Sequence, residues 1–143
     1  MSGDPNHKAA VRAFFGVAET GDYDVLDTIL SPDYVLHDPG QPDEVRGVEG
    51  AKAMISTVRA ACSDLRMTIQ HQVGEGDLVA SHYIARGTHD GEYLGIPATG
   101  RPVTVTGLCM TRFRDGRIVE EWEVSDAPTL LERMGALPEP ARD

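Results

Sequence analysis

The 143 residues carry 23 acidic and 13 basic side chains, a formal net charge of −10, with 41% hydrophobic and 25% charged content. That length and mix fit one globular domain able to bury roughly two-thirds of its unfolded surface. So acidic a chain repels phosphate backbones and anionic bilayers, which argues against nucleic-acid binding and membrane attachment, and no apolar run approaches the roughly 20 residues of a spanning helix.

Asp4-Pro5 reads as an N-cap followed by proline at the first helical position. Val11, Phe14, Phe15 and Ala18 then form the apolar stripe of an amphipathic helix ending near Gly21. Asp22 restarts a short helix with Val25, Leu26, Ile29 and Leu30 on its buried side, stopped by Ser31-Pro32. Tyr34 to His37 is a short strand that Asp38-Pro39-Gly40 terminates, and an acidic loop follows through Gly47. A third helix is expected from about Val48 to Cys62, with Ala51, Met54, Ile55, Val58 and Ala61 at helical spacing.

From Ser63 the period changes to two. Leu65, Met67, Ile69, His71 and Val73 alternate with polar residues, as in a half-buried strand. A turn at Gly74-Glu75-Gly76-Asp77 leads into a strand from Leu78 to Thr88. A long excursion from His89 to Pro102 separates it from a strand over Val103 to Phe113. Asp115-Gly116 is a strong hairpin signal, returning the chain as Ile118 to Val124. A last helix is expected from Asp126 to Met134, then a frayed tail over 138–143. Helices first and a strand meander afterwards predict one α+β domain over 1–143, its core about 8–137, with helices on one sheet face.

The start of the chain has neither a basic region nor an apolar stretch of the secretory kind. Cys62 and Cys109 lie far apart, without metal-type spacing or the density of a disulfide scaffold. Cytoplasmic is the expected location. The charge is uneven: Asp115 to Asp143 holds eight acids against three bases. A neutral, largely apolar small molecule suits such a chain better than an anionic partner.

Glu121 and Glu123 stand two apart on a strand and therefore share a face. That face is either wet or lines a pocket in which a carboxylate handles protons, because an uncompensated buried charge is costly. Glu123 is the first candidate base, with Glu121 as a neighbour that raises its pKa. The register of the hairpin decides their surroundings. A two-residue type I′ turn sets Cys109 opposite Trp122; a three-residue loop with Gly116 in a bulge pairs Cys109 with Glu121 and Gly107 with Glu123. The second is preferred, since it groups Trp122 with Leu108 and Met110 on an apolar face needing cover from a dimer partner. Trp122 lining the pocket is the competing view.

His37 is a candidate donor to substrate, or a strand-end histidine bonded to backbone. His89, opening the excursion, is either a pocket-mouth residue or an exposed loop histidine. Asp126 is a helix cap or a catalytic contributor. Tyr34, Tyr83 and Tyr93 are possible phenolic donors, and Phe15 a possible substrate contact. Arg86 on a central strand calls for a carboxylate partner. His71 and His82 on neighbouring strands lack metal-type spacing, so no metal is expected. Cys109 is read as a small core residue before a thiol nucleophile.

The order of elements, with Gly87-Thr88-His89-Asp90-Gly91-Glu92-Tyr93-Leu94-Gly95-Ile96-Pro97-Ala98-Thr99-Gly100-Arg101 and then Asp115-Gly116-Arg117-Ile118, resembles the SnoaL-like polyketide cyclases of the nuclear-transport-factor-2-like, or ketosteroid-isomerase-like, superfamily. The resemblance covers roughly Lys8 to Leu137. It implies a cone-shaped, curved antiparallel sheet closed by three N-terminal helices and a short C-terminal one, around one deep pocket. It also implies a homodimer, no cofactor, and ring closure by intramolecular aldol condensation. The family's catalytic Asp falls on Glu123 and its assisting His on Cys109, both departures. An isomerase, a cofactor-independent oxygenase and a non-catalytic ligand-binding dimer are the alternatives on the same pocket.

Overall fold

A computed structural model describes residues 4–39 and 43–127. Helix α1 spans Pro5–Thr20. Asp4 caps it by accepting from Asn6 N–H at 2.8 Å, and Gly21, in the left-handed region, closes its end onto Val17 O. A single 3-10 turn, Tyr23–Val25, runs into the one-turn helix α2, Leu26–Ile29. Strand β1 then begins at Leu30 and continues to His37. Ser31-Pro32 therefore lies inside the strand, where the sequence predicts a helix stop and a later start. Here Ser31 is buried and its Oγ accepts from Asp33 N–H at 3.1 Å.

Strand β2, Val45–Arg46, is a two-residue pairing with β1 inside the expected loop. Helix α3 follows over Gly47–Ala61. The remaining strands are β3 (Arg66–Glu75), β4 (Leu78–Thr88), β5 (Pro102–Arg114) and β6 (Arg117–Ser125). The expected helix from Asp126 and the frayed tail lie almost wholly outside the described residues.

The six strands form one curved, unclosed sheet in the order β2-β1-β6-β5-β4-β3. It is mixed, where pure antiparallel pairing is expected: β1 runs parallel to β6, with Leu36 beside Glu121 and His37 beside Trp122. The meander β3 to β6 is antiparallel. Helix α1 packs against β3 and α3 against β1, both on the inner face. The core they bury includes Val11, Val17, Leu26, Leu30, Ile55 and Ile118.

Two bulges correct the sequence-derived registers. The β5–β6 hairpin closes on a two-residue turn, Arg114 pairing with Arg117 while Asp115 (φ 54) and Gly116 (φ 78) both take positive φ. Val119 is then an extra residue on β6, since Phe113 faces Ile118 and Arg112 faces Glu120. The result matches neither expectation. Cys109 pairs with Glu123, Thr111 with Glu121 and Gly107 with Ser125. A second bulge at Gln70 inverts β3: Met67 and Ile69 face inward, whereas Val73 emerges 67% exposed on the outer face.

Candidate active site

Alternation along β6 turns Glu121 and Glu123 to the concave side, and Trp122 and Val124 to the convex one. Between sheet and helices lies a cavity of about 230 Å3. Helix α1 contributes Phe14, Phe15 and Ala18, and α3 contributes Met54, Ile55 and Val58. The sheet supplies Tyr83, Val103, Val105, Cys109 and both glutamates. Apolar walls around a few convergent polar groups are the usual make-up of a small-molecule site.

Glu123 sits in this apolar lining with one hydrogen-bond donor among the described residues, the Tyr83 hydroxyl, bonded to its Oε1. Burial pushes the Glu123 carboxyl up to about 7; the Tyr83 bond works against that shift, and the charges of Glu121 and Asp38 reinforce it. Tyr83 reaches Glu123 from β4, across the strand between them. It can do so because Gly107, its register partner on β5, has no side chain: a Cβ there would lie 2.4 Å from the Tyr83 oxygen. Burial, followed by the neighbouring Glu123 charge, raises the Tyr83 phenol, so it remains a proton donor. The Phe15 ring meets the Tyr83 ring edge-on at 5.2 Å and fixes its plane.

Glu121 lies deeper, only 3% exposed. It accepts from Tyr34 Oη at 2.7 Å, Thr111 Oγ1 at 2.8 Å and Cys109 Sγ at 3.0 Å. Burial raises its pKa and these three donors oppose the rise. Tyr34 is thus behind the cavity wall as a support for Glu121, rather than a substrate contact. Burial holds the Cys109 thiol well above its usual range, and the Glu121 carboxylate adds to this. That is unsuited to a thiolate nucleophile.

His89 lines the cavity and is 1% exposed, not an open loop residue. Its Nδ1 lies 3.0 Å from Thr99 Oγ1, while the buried Nε2 has no hydrogen-bond partner among the described residues. Asp38, just beyond β1, also borders the cavity. Sequence reasoning used Asp38 only as a strand stop, although its parity with Tyr34 and Leu36 pointed inward.

Three expected site residues lie elsewhere. His37 is on the outer sheet face, because Leu36 occupies the inner one; its Nε2 is 2.7 Å from Glu120 Oε2 and its Nδ1 is 3.1 Å from Glu44 Oε1. Trp122 stacks on His37 at 5.7 Å and is a surface residue, with the Arg112 guanidinium over its ring. Asp126 is exposed and accepts from Thr106 N–H at 2.8 Å, tying β6 to β5 outside the cavity. Arg86 is exposed and forms no ion pair among the described residues, so it does not neutralise either glutamate. Among the described residues no group of three His, Cys, Asp or Glu side chains is placed to hold a metal, and no helix is long and apolar enough to cross a membrane.

The family model for SnoaL-like polyketide cyclases matches residues 8–133. The chain belongs to this family. Its architecture is accordingly the NTF2-like α+β fold, with the mixed sheet described above. Solved structures agree. IdmH from Streptomyces antibioticus, a proposed polyketide cyclase, is 38% identical, with 90% of this chain and 98% of that one covered at a TM-score of 0.78. TsrD from Streptomyces laurentii is 31% identical over 94% and 98%, with a TM-score of 0.81. AclR from Streptomyces galilaeus, a proposed hydroxylase, is 29% identical over 95% and 85%, with a TM-score of 0.78. No curated protein sequence matches significantly. Where the resemblance to the cyclases places an Asp and a His, Glu123 and Cys109 are direct cross-strand partners, so the two departures fall at one spot.

Proposed function

We propose that this member of the cyclase family closes a ring in a neutral, apolar, carbonyl-rich substrate by intramolecular aldol condensation, with Glu123 as the base. The observation that carries the reading is the Glu123 carboxyl inside the apolar cavity, bonded to Tyr83 and raised to about 7. A group of that pKa is ionised enough near neutral pH to accept a proton and protonated enough to return one.

Glu123 removes a proton from the carbon α to a carbonyl. The enolate attacks a second carbonyl of the same molecule, forming one carbon–carbon bond and an alkoxide. Glu123 then gives the proton back to that alkoxide, so the cycle consumes none. Tyr83 is the donor nearest the base and stabilises the negative oxygen when Glu123 is protonated and no longer needs its hydrogen bond. Apolar walls from Phe14, Phe15, Met54 and Ile55 hold the chain folded and keep water from quenching the enolate. His89 and Cys109 are proposed as substrate contacts. No cofactor is needed for this sequence of steps.

The molecule is proposed to act as a homodimer through its outer sheet face, where Leu108, Met110, Trp122 and Val124 are exposed together. A second reading is an oxygenase, in which molecular oxygen intercepts the same enolate; the similarity to the proposed hydroxylase AclR favours keeping it. The deciding experiment compares wild type with Glu123→Gln on an activated polyketide ester. Loss of ring closure with binding retained supports the proposal, oxygen uptake coupled to product supports the second reading, and undiminished closure by the variant refutes the base assignment.

A further inference from the structure

The two carboxylates of β6 receive unequal help from the protein. Glu121 accepts from three donors, Tyr34, Thr111 and Cys109, on two different strands. Among the described residues Glu123 accepts from Tyr83 alone. All three donors to Glu121 are themselves buried, so none has water as an alternative partner. An ionised carboxylate only accepts, and three inward-pointing donors match it. A protonated one must direct its own hydrogen at a neighbour, giving up one of the three bonds and leaving a displaced donor at best the long 3.6 Å contact between Cys109 Sγ and Thr111 Oγ1.

Among the described residues the groups facing this pair offer no ion-paired cation; Arg86, which borders the cavity from β4, is exposed and pairs with neither carboxylate. From β1 come Tyr34 and, near its end, Asp38; from β5, Cys109 and Thr111; from β4, Tyr83. Helices α1 and α3 present apolar side chains, and His89 borders the cavity from the loop after β4, held by Thr99. Among the described residues neither carboxylate is in an ion pair. Two bare negative charges side by side in so dry a site are costly, so one of the pair takes up a proton as the pH falls toward neutrality.

We infer that Glu121 is a positioning residue kept as the anion of the pair by its three donors, and that it thereby assigns the proton of the pair to Glu123. This deepens the reading of Glu123 as the base and rests on it. Burial is the largest cause of the raised Glu123 pKa, and the Glu121 charge adds to it in the same direction. Glu121 touches no reacting atom. Its charge adds to the burial that makes its neighbour a proton carrier near neutral pH, and the donor count fixes which of two similar glutamates does the chemistry.

The test needs no substrate. Protein labelled with 13C at the glutamate side-chain carboxyls is titrated by NMR as wild type, Glu121→Gln, Glu123→Gln and Thr111→Val. In wild type one buried glutamate titrates near neutrality, and Glu123→Gln removes that signal change. Glu121→Gln lowers the midpoint of Glu123 by about one pH unit, a tenfold change in its ionisation at a given pH. Thr111→Val, which leaves every charge in place, weakens the preference and draws the Glu121 midpoint upward. An unchanged Glu123 midpoint in Glu121→Gln overturns the inference, as does a near-neutral transition that survives Glu123→Gln. Should Glu121→Gln fail to fold, Thr111→Val decides alone: a Glu121 midpoint that does not rise overturns it. A titration as expected in a protein that closes no ring leaves this inference standing and removes the proposed reaction.

Discussion

The Tyr83 hydroxyl donates to Glu123 over the top of an intervening strand, through the gap left by Gly107. Three strands thus cooperate in one hydrogen bond, and its weakest point is a missing methyl group. Gly107→Ala places a carbon in the space of the phenol oxygen, so the ring must swing away from Glu123 or the strands must part. Overpacking of this kind costs about 1–3 kcal/mol. The expected outcome is a folded protein with a denaturation midpoint lowered accordingly and ring closure slowed at least about tenfold, read by denaturant titration and by turnover.

Glu123 also makes stability depend on pH. Its folded pKa, about 7, lies above its ordinary value of 4.5. The folded state therefore holds this proton more tightly, and its contribution is full below pH 4.5 and lost as pH rises to 7. The difference is about 3 kcal/mol at most. Urea unfolding at pH 5 and pH 8 should show a larger loss of stability in wild type than in Glu123→Gln, which cannot ionise. Equal losses in the two proteins contradict the assignment.

Both cysteines are buried, and burial raises each thiol above its usual range. Neither should react with a thiol-specific dye in the native protein at pH 8, whereas both should react promptly in denaturant. Fast labelling of native Cys109 would show that the wall beside Glu121 opens.

The convex face offers a separate test. Replacing Leu108 and Val124 with lysine keeps both strands intact, because the side chains project away from the core. Sedimentation should show wild type as a dimer and the double variant as a monomer with unchanged circular dichroism. A wild type that is monomeric at high micromolar concentration removes the homodimer from the proposal.

The elements were legible because their signals are local. Asp4-Pro5 and Gly21 bracket α1 by capping chemistry, and strand alternation puts Glu121 and Glu123 on one shared face, which the structure shows to be the inner one, even though neither expected register holds. That success has a simple cause: pairing Cys109 with Glu121 or with Glu123 leaves the same residues inside. The bulges at Val119 and Gln70 carry no signal in residue type, and each shifts everything beyond it. His37 was misread for another reason. Tyr34 and Leu36 claim the inner face of β1, which by alternation sends His37 outward to Glu120. The donors around Glu121 come from residues far apart in the chain, and only the fold discloses that they meet.

The parallel contact of β1 with β6 bears on how the molecule is made. Tyr34 and Glu121 are 87 positions apart, so the anion of the site gains its phenol only after nearly the whole described chain has been synthesised and gathered. Closing so long a loop is entropically slow, and pairings of this separation lower folding rates. The cavity is therefore among the last features to take shape during folding, while the local β5–β6 hairpin is free to form early.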